Sequence, residues 1–137
     1  HVLPAMLRKF HEAKINNHSD VNLWGSGTPM REFLFVDDMA EAVVYALENK
    51  LPEYLYNVGS GQDITIKELA ETIQKITGHQ GNIIWDANKP DGTPRKLMDV
   101  SKMKDIGWEY STELEDGIKK TYQWFLENTD TIKINKF

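Results

Sequence analysis

The span from Trp24 to Ala40 (Trp24-Gly25-Ser26-Gly27-Thr28-Pro29-Met30-Arg31-Glu32-Phe33-Leu34-Phe35-Val36-Asp37-Asp38-Met39-Ala40) concentrates side chains able to hold an anionic nucleotide. An indole supplies a flat face for a base or sugar, glycines permit close backbone approach, and a guanidinium presents a fork of donors matched to phosphate oxygens. Trp24 stands directly before a glycine turn, where its ring can face a ligand. Arg31 lies between a proline-containing turn and an apolar segment, a rigid mount from which to reach a diphosphate. Its competing use is a surface ion pair with Glu32 or Asp37. Asp91 belongs to Lys89-Pro90-Asp91-Gly92, where turn chemistry alone accounts for an aspartate.

The formal net charge of −5 argues against a nucleic-acid partner, which needs a basic face. An anionic ligand must therefore meet a local basic cluster. Arg8 with Lys9 is one candidate, Lys89 with Arg95 and Lys96 another, and Arg31 stands between them. Isolated lysines of this kind are usually solvated surface charge. His11, His18 and His79 lack the spacing of metal ligands, and no metal is expected. Trp85, Trp108 and Trp124 fall within helical or strand patterns and read as core.

Cysteine is absent, which removes disulfides and thiolate chemistry from this segment and fits a cytoplasmic setting. No apolar run approaches the roughly 20 residues of a membrane helix, and no signal peptide opens the chain. The 137 residues suffice for one modest core.

These residues need elements to position them. Pro4 suits a first helical turn, and Leu3, Met6, Leu7, Phe10 and Ala13 recur at helical spacing up to about Asn16. Val21–Trp24 and Glu32–Val36 read as strands. Asp37 or Asp38 is expected to cap a second helix with Met39, Ala40, Val43, Val44 and Leu47 on one face. Tyr54–Val58 reads as a buried strand ended by Gly59-Ser60-Gly61. Thr65 and Glu68 form a capping-box pattern ahead of Leu69, Ala70, Ile73 and Ile76, with Gly78 as the stop. Asn82–Trp85 predicts a strand and residues 89–95 a loop. Ser101 opens a short helix closed by Gly107. A last helix is expected near Thr112, with Glu115 completing a second capping box. The pattern fades after Asn128, which predicts one domain over residues 1–128 and a tail over 129–137. The fold class is mixed α/β. Neither G-x-G-x-x-G nor a P-loop is present, so the segment supplies no complete cofactor site.

Several motifs carry a family resemblance. Arg31-Glu32-Phe33 with Val36-Asp37-Asp38, Tyr56-Asn57-Val58-Gly59, and Asp99-Val100-Ser101-Lys102 leading to Gly107-Trp108 resemble the extended short-chain dehydrogenase/reductases. His1-Val2-Leu3-Pro4-Ala5, Trp24 through Phe33, and Lys89-Pro90-Asp91-Gly92-Thr93-Pro94-Arg95-Lys96 narrow it. Together they resemble the C-terminal, substrate-binding portion of the GDP-L-fucose synthase family, over His1 to about Asn128.

The resemblance implies an NADP-dependent enzyme whose N-terminal Rossmann part, absent from this segment, holds most of the cofactor. It implies conversion of GDP-4-keto-6-deoxy-D-mannose to GDP-L-fucose by epimerisation at C3 and C5 and reduction of the C4 ketone. His1 matches the family's catalytic histidine, expected also near the cofactor. Lys9, Trp24, Arg31 and Asp91 match substrate contacts, with Lys9 standing where some relatives carry arginine. The partner cysteine and a Ser-Tyr-Lys triad would lie upstream, so this segment alone is not expected to turn over. A homodimer is implied for the full-length protein, with no membrane partner. Two rivals stay open: the C-terminal part of another nucleotide-sugar epimerase or dehydratase, and a non-catalytic nucleotide-sugar-binding module.

Overall fold

The computed structural model describes residues 1–129, so residues 130–137 of the expected tail lie outside the described residues. The elements run α1 (Val2–Ile15), β1 (Asp20–Trp24), β2 (Met30–Glu32), α2 (Val36–Glu48), β3 (Asp63–Thr65), α3 (Ile66–Thr77), β4 (Asn82–Asp86), β5 (Arg95–Lys96), α4 (Ser101–Asp105) and α5 (Leu114–Glu127). This is the mixed α/β class that the alternating pattern predicts.

Two small sheets organise the chain. In one, β1 and β4 run parallel, with Asp20 opposite Asn82 and Trp24 opposite Asp86. In the other, β2 is central, antiparallel to β3 and parallel to β5. Along β1, Val21 and Leu23 turn inward while Asn22 and Trp24 face out, the period-two alternation of a half-covered strand. The inward residues join Met6, Leu7, Phe10 and Ala13 of α1, Leu69, Ala70 and Ile73 of α3, and Ile118 and Tyr122 of α5 in the main core. A second cluster gathers Ala42, Met103 and Trp108.

α3 starts as its local sequence dictates. Thr65 Oγ1 accepts from the Glu68 N–H while the Glu68 carboxylate accepts from the Thr65 N–H, and Gly78 closes the helix at φ +75°.

The structure departs from the sequence reading at several points. The second strand ends at Glu32, and α2 begins at Val36 with Phe35 as its N-cap. Neither Asp37 nor Asp38 caps it, because the buried Asp38 carboxylate accepts from the Ser111 hydroxyl, the Thr112 N–H and the Thr112 hydroxyl. That engagement also dissolves the second capping box: α5 starts at Leu114 without a side-chain cap, and Glu115 pairs with Lys119 and Lys75. The apolar stripe of α2 faces outward, with Met39, Val43, Val44 and Leu47 exposed and Ala42 inward. Residues 54–58 form no strand, and Tyr54 and Leu55 are exposed. Of the three tryptophans expected in the core, Trp108 is buried and Trp85 half-buried against it, but Trp124 is 57% exposed.

Candidate functional site

Parallel pairing sends the chain out of β1 and β4 at the same end of their sheet. Residues 25–29 therefore meet residues 87–94 there, the end at which parallel sheets offer ligand sites. The Gly25 N–H extends the ladder to the Asp86 carbonyl at 3.0 Å, and the Met30 N–H reaches the Pro94 carbonyl at 2.8 Å. β2 then pairs with β5, which sets Arg31 opposite Lys96. The two loops are thus stitched at both ends.

A cleft of about 450 Å³ opens beside this junction, lined by His1, Lys9, Trp24, Arg31 and Asp91 together with apolar residues such as Met6, Leu23, Pro29 and Ile66. Five residues drawn from 91 positions of sequence converge on one hollow. α1 contributes His1 as its N-cap and Lys9 two turns on; β1 ends in Trp24; β2 carries Arg31; the 87–94 loop carries Asp91. A larger hollow of about 580 Å³, between Phe35–Asp37 and Lys120–Trp124, holds none of these five.

The Trp24 ring is 67% exposed, with the Lys89 ammonium 5.3 Å from its centroid. Lys89 is thereby more than a solvated charge: it covers the indole by a cation–π contact. Arg31 donates to the carbonyl of Met30 at 2.7 Å, and among the described residues no ion pair involves it. Glu32, its suspected partner, instead accepts backbone N–H bonds from Gly61 and Met98. The Lys9 ammonium donates to the Asn22 carbonyl at 2.8 Å.

Asp91 accepts from Ser26 twice, from the N–H at 2.6 Å and the hydroxyl at 2.8 Å. Those bonds hold its carboxyl below the ordinary aspartate range, the backbone bond first. Gly25 and Gly27 flank Ser26 with φ of +82° and +77°, the left-handed backbone that glycine adopts without strain. A Cβ on Gly27 would stand 2.8 Å from the Trp85 ring. Ser26 is the residue that sequence reading passed over, although the fixed Gly-Ser-Gly spacing marked it.

The first N–H groups of α3 do not face the cleft as an anion site. Ile66 donates to the Pro29 carbonyl, Lys67 to the Gly27 carbonyl and Glu68 to Thr65 Oγ1. The charged donors that line the cleft are the Arg31 and Lys9 side chains. The two left-handed glycines that flank Ser26 are turned to Asp91 and Trp85. Among the described residues no cluster of histidine and carboxylate side chains is arranged for a metal, and no helix is long and apolar enough to cross a membrane.

Residues 1–59 match the NAD dependent epimerase/dehydratase family. Across 97% of its length the chain is 54% identical to the GDP-L-fucose synthase of Escherichia coli (strain K12), of which it covers 44%. Across 93% it is 52% identical to GDP-L-fucose synthase 1 of Arabidopsis thaliana, covering 40% of that protein. Its fold superposes on a GDP-L-fucose synthetase from Naegleria fowleri bound to NADP with a TM-score of 0.90 and 32% identity, over 97% of this chain and 42% of that one. The chain spans about two-fifths of the length of the curated relatives it matches. Over a portion of their length the chain is similar to the GDP-L-fucose synthases, and its first 59 residues match the NAD dependent epimerase/dehydratase family.

Proposed function

We propose that this chain is the substrate-binding part of an NADP-dependent GDP-L-fucose synthase, acting on GDP-4-keto-6-deoxy-D-mannose. The observation that carries the reading is the convergence of His1, Lys9, Trp24, Arg31 and Asp91 on one cleft. Trp24 stacks on a flat part of the ligand, Arg31 and Lys9 neutralise the diphosphate, and Asp91 accepts hydrogen bonds from ligand hydroxyl or N–H groups.

His1 is the proton-handling group. The substrate's C4 ketone acidifies the protons on C3 and C5, because the carbanion left behind is stabilised as an enolate. An imidazole exchanges protons near neutrality, so His1 serves to give or take one at these carbons, with a second group on the opposite face. NADP, when bound by the rest of the protein, supplies the hydride for the C4 ketone. His1 lies exposed at the rim of the cleft, open to such a neighbour.

Calorimetric titration tests the reading. GDP-mannose is expected to bind in preference to UDP-glucose, and Arg31→Ala to weaken GDP-mannose by about one to two decades, the worth of a charge-assisted contact. Equal affinity of parent and variant removes Arg31 from the site. A preference for UDP-glucose transfers the chain to another nucleotide-sugar enzyme, a class represented among its structural neighbours by a UDP-glucose 4-epimerase from Thermotoga maritima at 27% identity, TM-score 0.76 over 90% of this chain and 40% of that one.

A further inference from the structure

Ser26 stands at the centre of a directed hydrogen-bond chain. Its hydroxyl has one proton, and the ionised carboxylate of Asp91 can only accept, so that proton goes to Asp91 Oδ2 at 2.8 Å. The Thr28 hydroxyl, 2.7 Å away, must then donate to Ser26, as the Thr28 N–H also does at 3.2 Å. The Ser26 N–H meets the other carboxylate oxygen, Asp91 Oδ1, at 2.6 Å. Each Asp91 oxygen is thus held by one donor on the same residue, a two-point grip that fixes the carboxylate plane. Asp91 is otherwise on an exposed loop, and no ion pair involves it among the described residues.

The grip also joins the two loops of the cleft. Ser26 lies two residues beyond Trp24, and Asp91 two residues beyond Lys89, whose ammonium covers the Trp24 ring. Aromatic plate and acceptor are therefore held in one relative geometry.

We propose that Ser26 is a positioning residue for nucleotide binding: it orients the Asp91 carboxylate beside Trp24 so that its remaining lone pairs face the ligand's donor groups. The proposal rests on the GDP-sugar reading given above. Ser26 makes no claim on the ligand itself; it acts through Asp91, and the residues that handle protons or phosphate are not required to move.

The test is a double-mutant cycle read by calorimetry with GDP, on the protein expressed from its full reading frame. Ser26→Ala is expected to weaken GDP about five- to tenfold, less than the loss of a direct charge-assisted contact, because Ser26 acts through Asp91. Ser26→Thr, which keeps the hydroxyl, is expected to restore most of that loss. In an Asp91→Ala background, Ser26→Ala is expected to change affinity less than twofold, because the group it orients is gone. A thermal melt of each variant separates a folding defect from a binding defect. Ser26→Ala binding GDP like the parent, or costing the same with and without Asp91, overturns the positioning role while leaving the cleft assignment standing. Absence of GDP binding by the parent overturns both.

Discussion

Asp38 and Asp91 show how differently the same side chain is used at two depths. Asp91 is exposed and gripped by one serine. Asp38 is 1% exposed and joins α2 to the segment ahead of α5. Burial pushes its carboxyl up, but hydrogen bonds from Thr112 and Ser111 outweigh that and leave it below its ordinary value of 3.8. Folded Asp38 therefore takes up a proton less readily than the unfolded chain does. Its contribution to stability is complete well above pH 3.8 and drains away as the pH falls through the folded value. Asp38→Asn is expected to cost about 1–3 kcal/mol at neutral pH and to make the acid limb of the stability curve shallower. Urea midpoints between pH 3 and 7 check both; a limb as steep as the parent's would assign acid sensitivity to other carboxylates. From sequence, Asp38 looked like a helix cap. Its partners lie more than 70 positions away, and no local pattern announces them.

At the scale of elements, two capping-box patterns had opposite fates. Thr65 and Glu68 close on each other, since nothing else competes for either side chain. Thr112 and Glu115 present the same spacing, yet the Thr112 hydroxyl and N–H are both committed to Asp38. Thr65→Ala is expected to cost about 1 kcal/mol by loss of the cap. Thr112→Ala is expected to act through Asp38, so that its cost shrinks in an Asp38→Asn background while that of Thr65→Ala does not. Denaturation midpoints of the single and double variants decide this. The same division explains what the sequence disclosed. α1, α3 and β1 follow from periodicity and local stops, because their apolar faces meet each other within the described chain. The residues of the cleft were legible because motifs marked them one by one. The Ser26–Asp91 grip was not, because it depends on the parallel register of β1 and β4. α2 was legible as a helix with an apolar stripe; where the stripe points is a property of the assembled fold.

At the scale of the whole molecule, that stripe stands exposed together with apolar residues beyond α2. Leu47 is 82% exposed and Val36 68%, with Met39, Val43, Val44, Tyr54 and Leu55 also in water. Exposed apolar residues in such number mark an interaction face and invite self-association of the chain on its own. Val43→Lys with Leu47→Lys is expected to lower light scattering and dye binding by the 137-residue chain without altering its GDP affinity, since neither residue lines the cleft. Loss of GDP binding in that variant would show the two faces to be coupled. The parallel register of β1 and β4 has a consequence in time. Asp20 pairs with Asn82, so the strand that ends in Trp24 waits for a partner 62 residues later in the chain. Contacts of such separation form slowly, because the intervening chain must first give up its freedom. On the ribosome, the Trp24 side of the cleft exists for some seconds before the residues that grip it have been synthesised, at about 5–20 residues per second. Helix α1 precedes both strands in the chain, and the cleft is incomplete until Asp91 arrives.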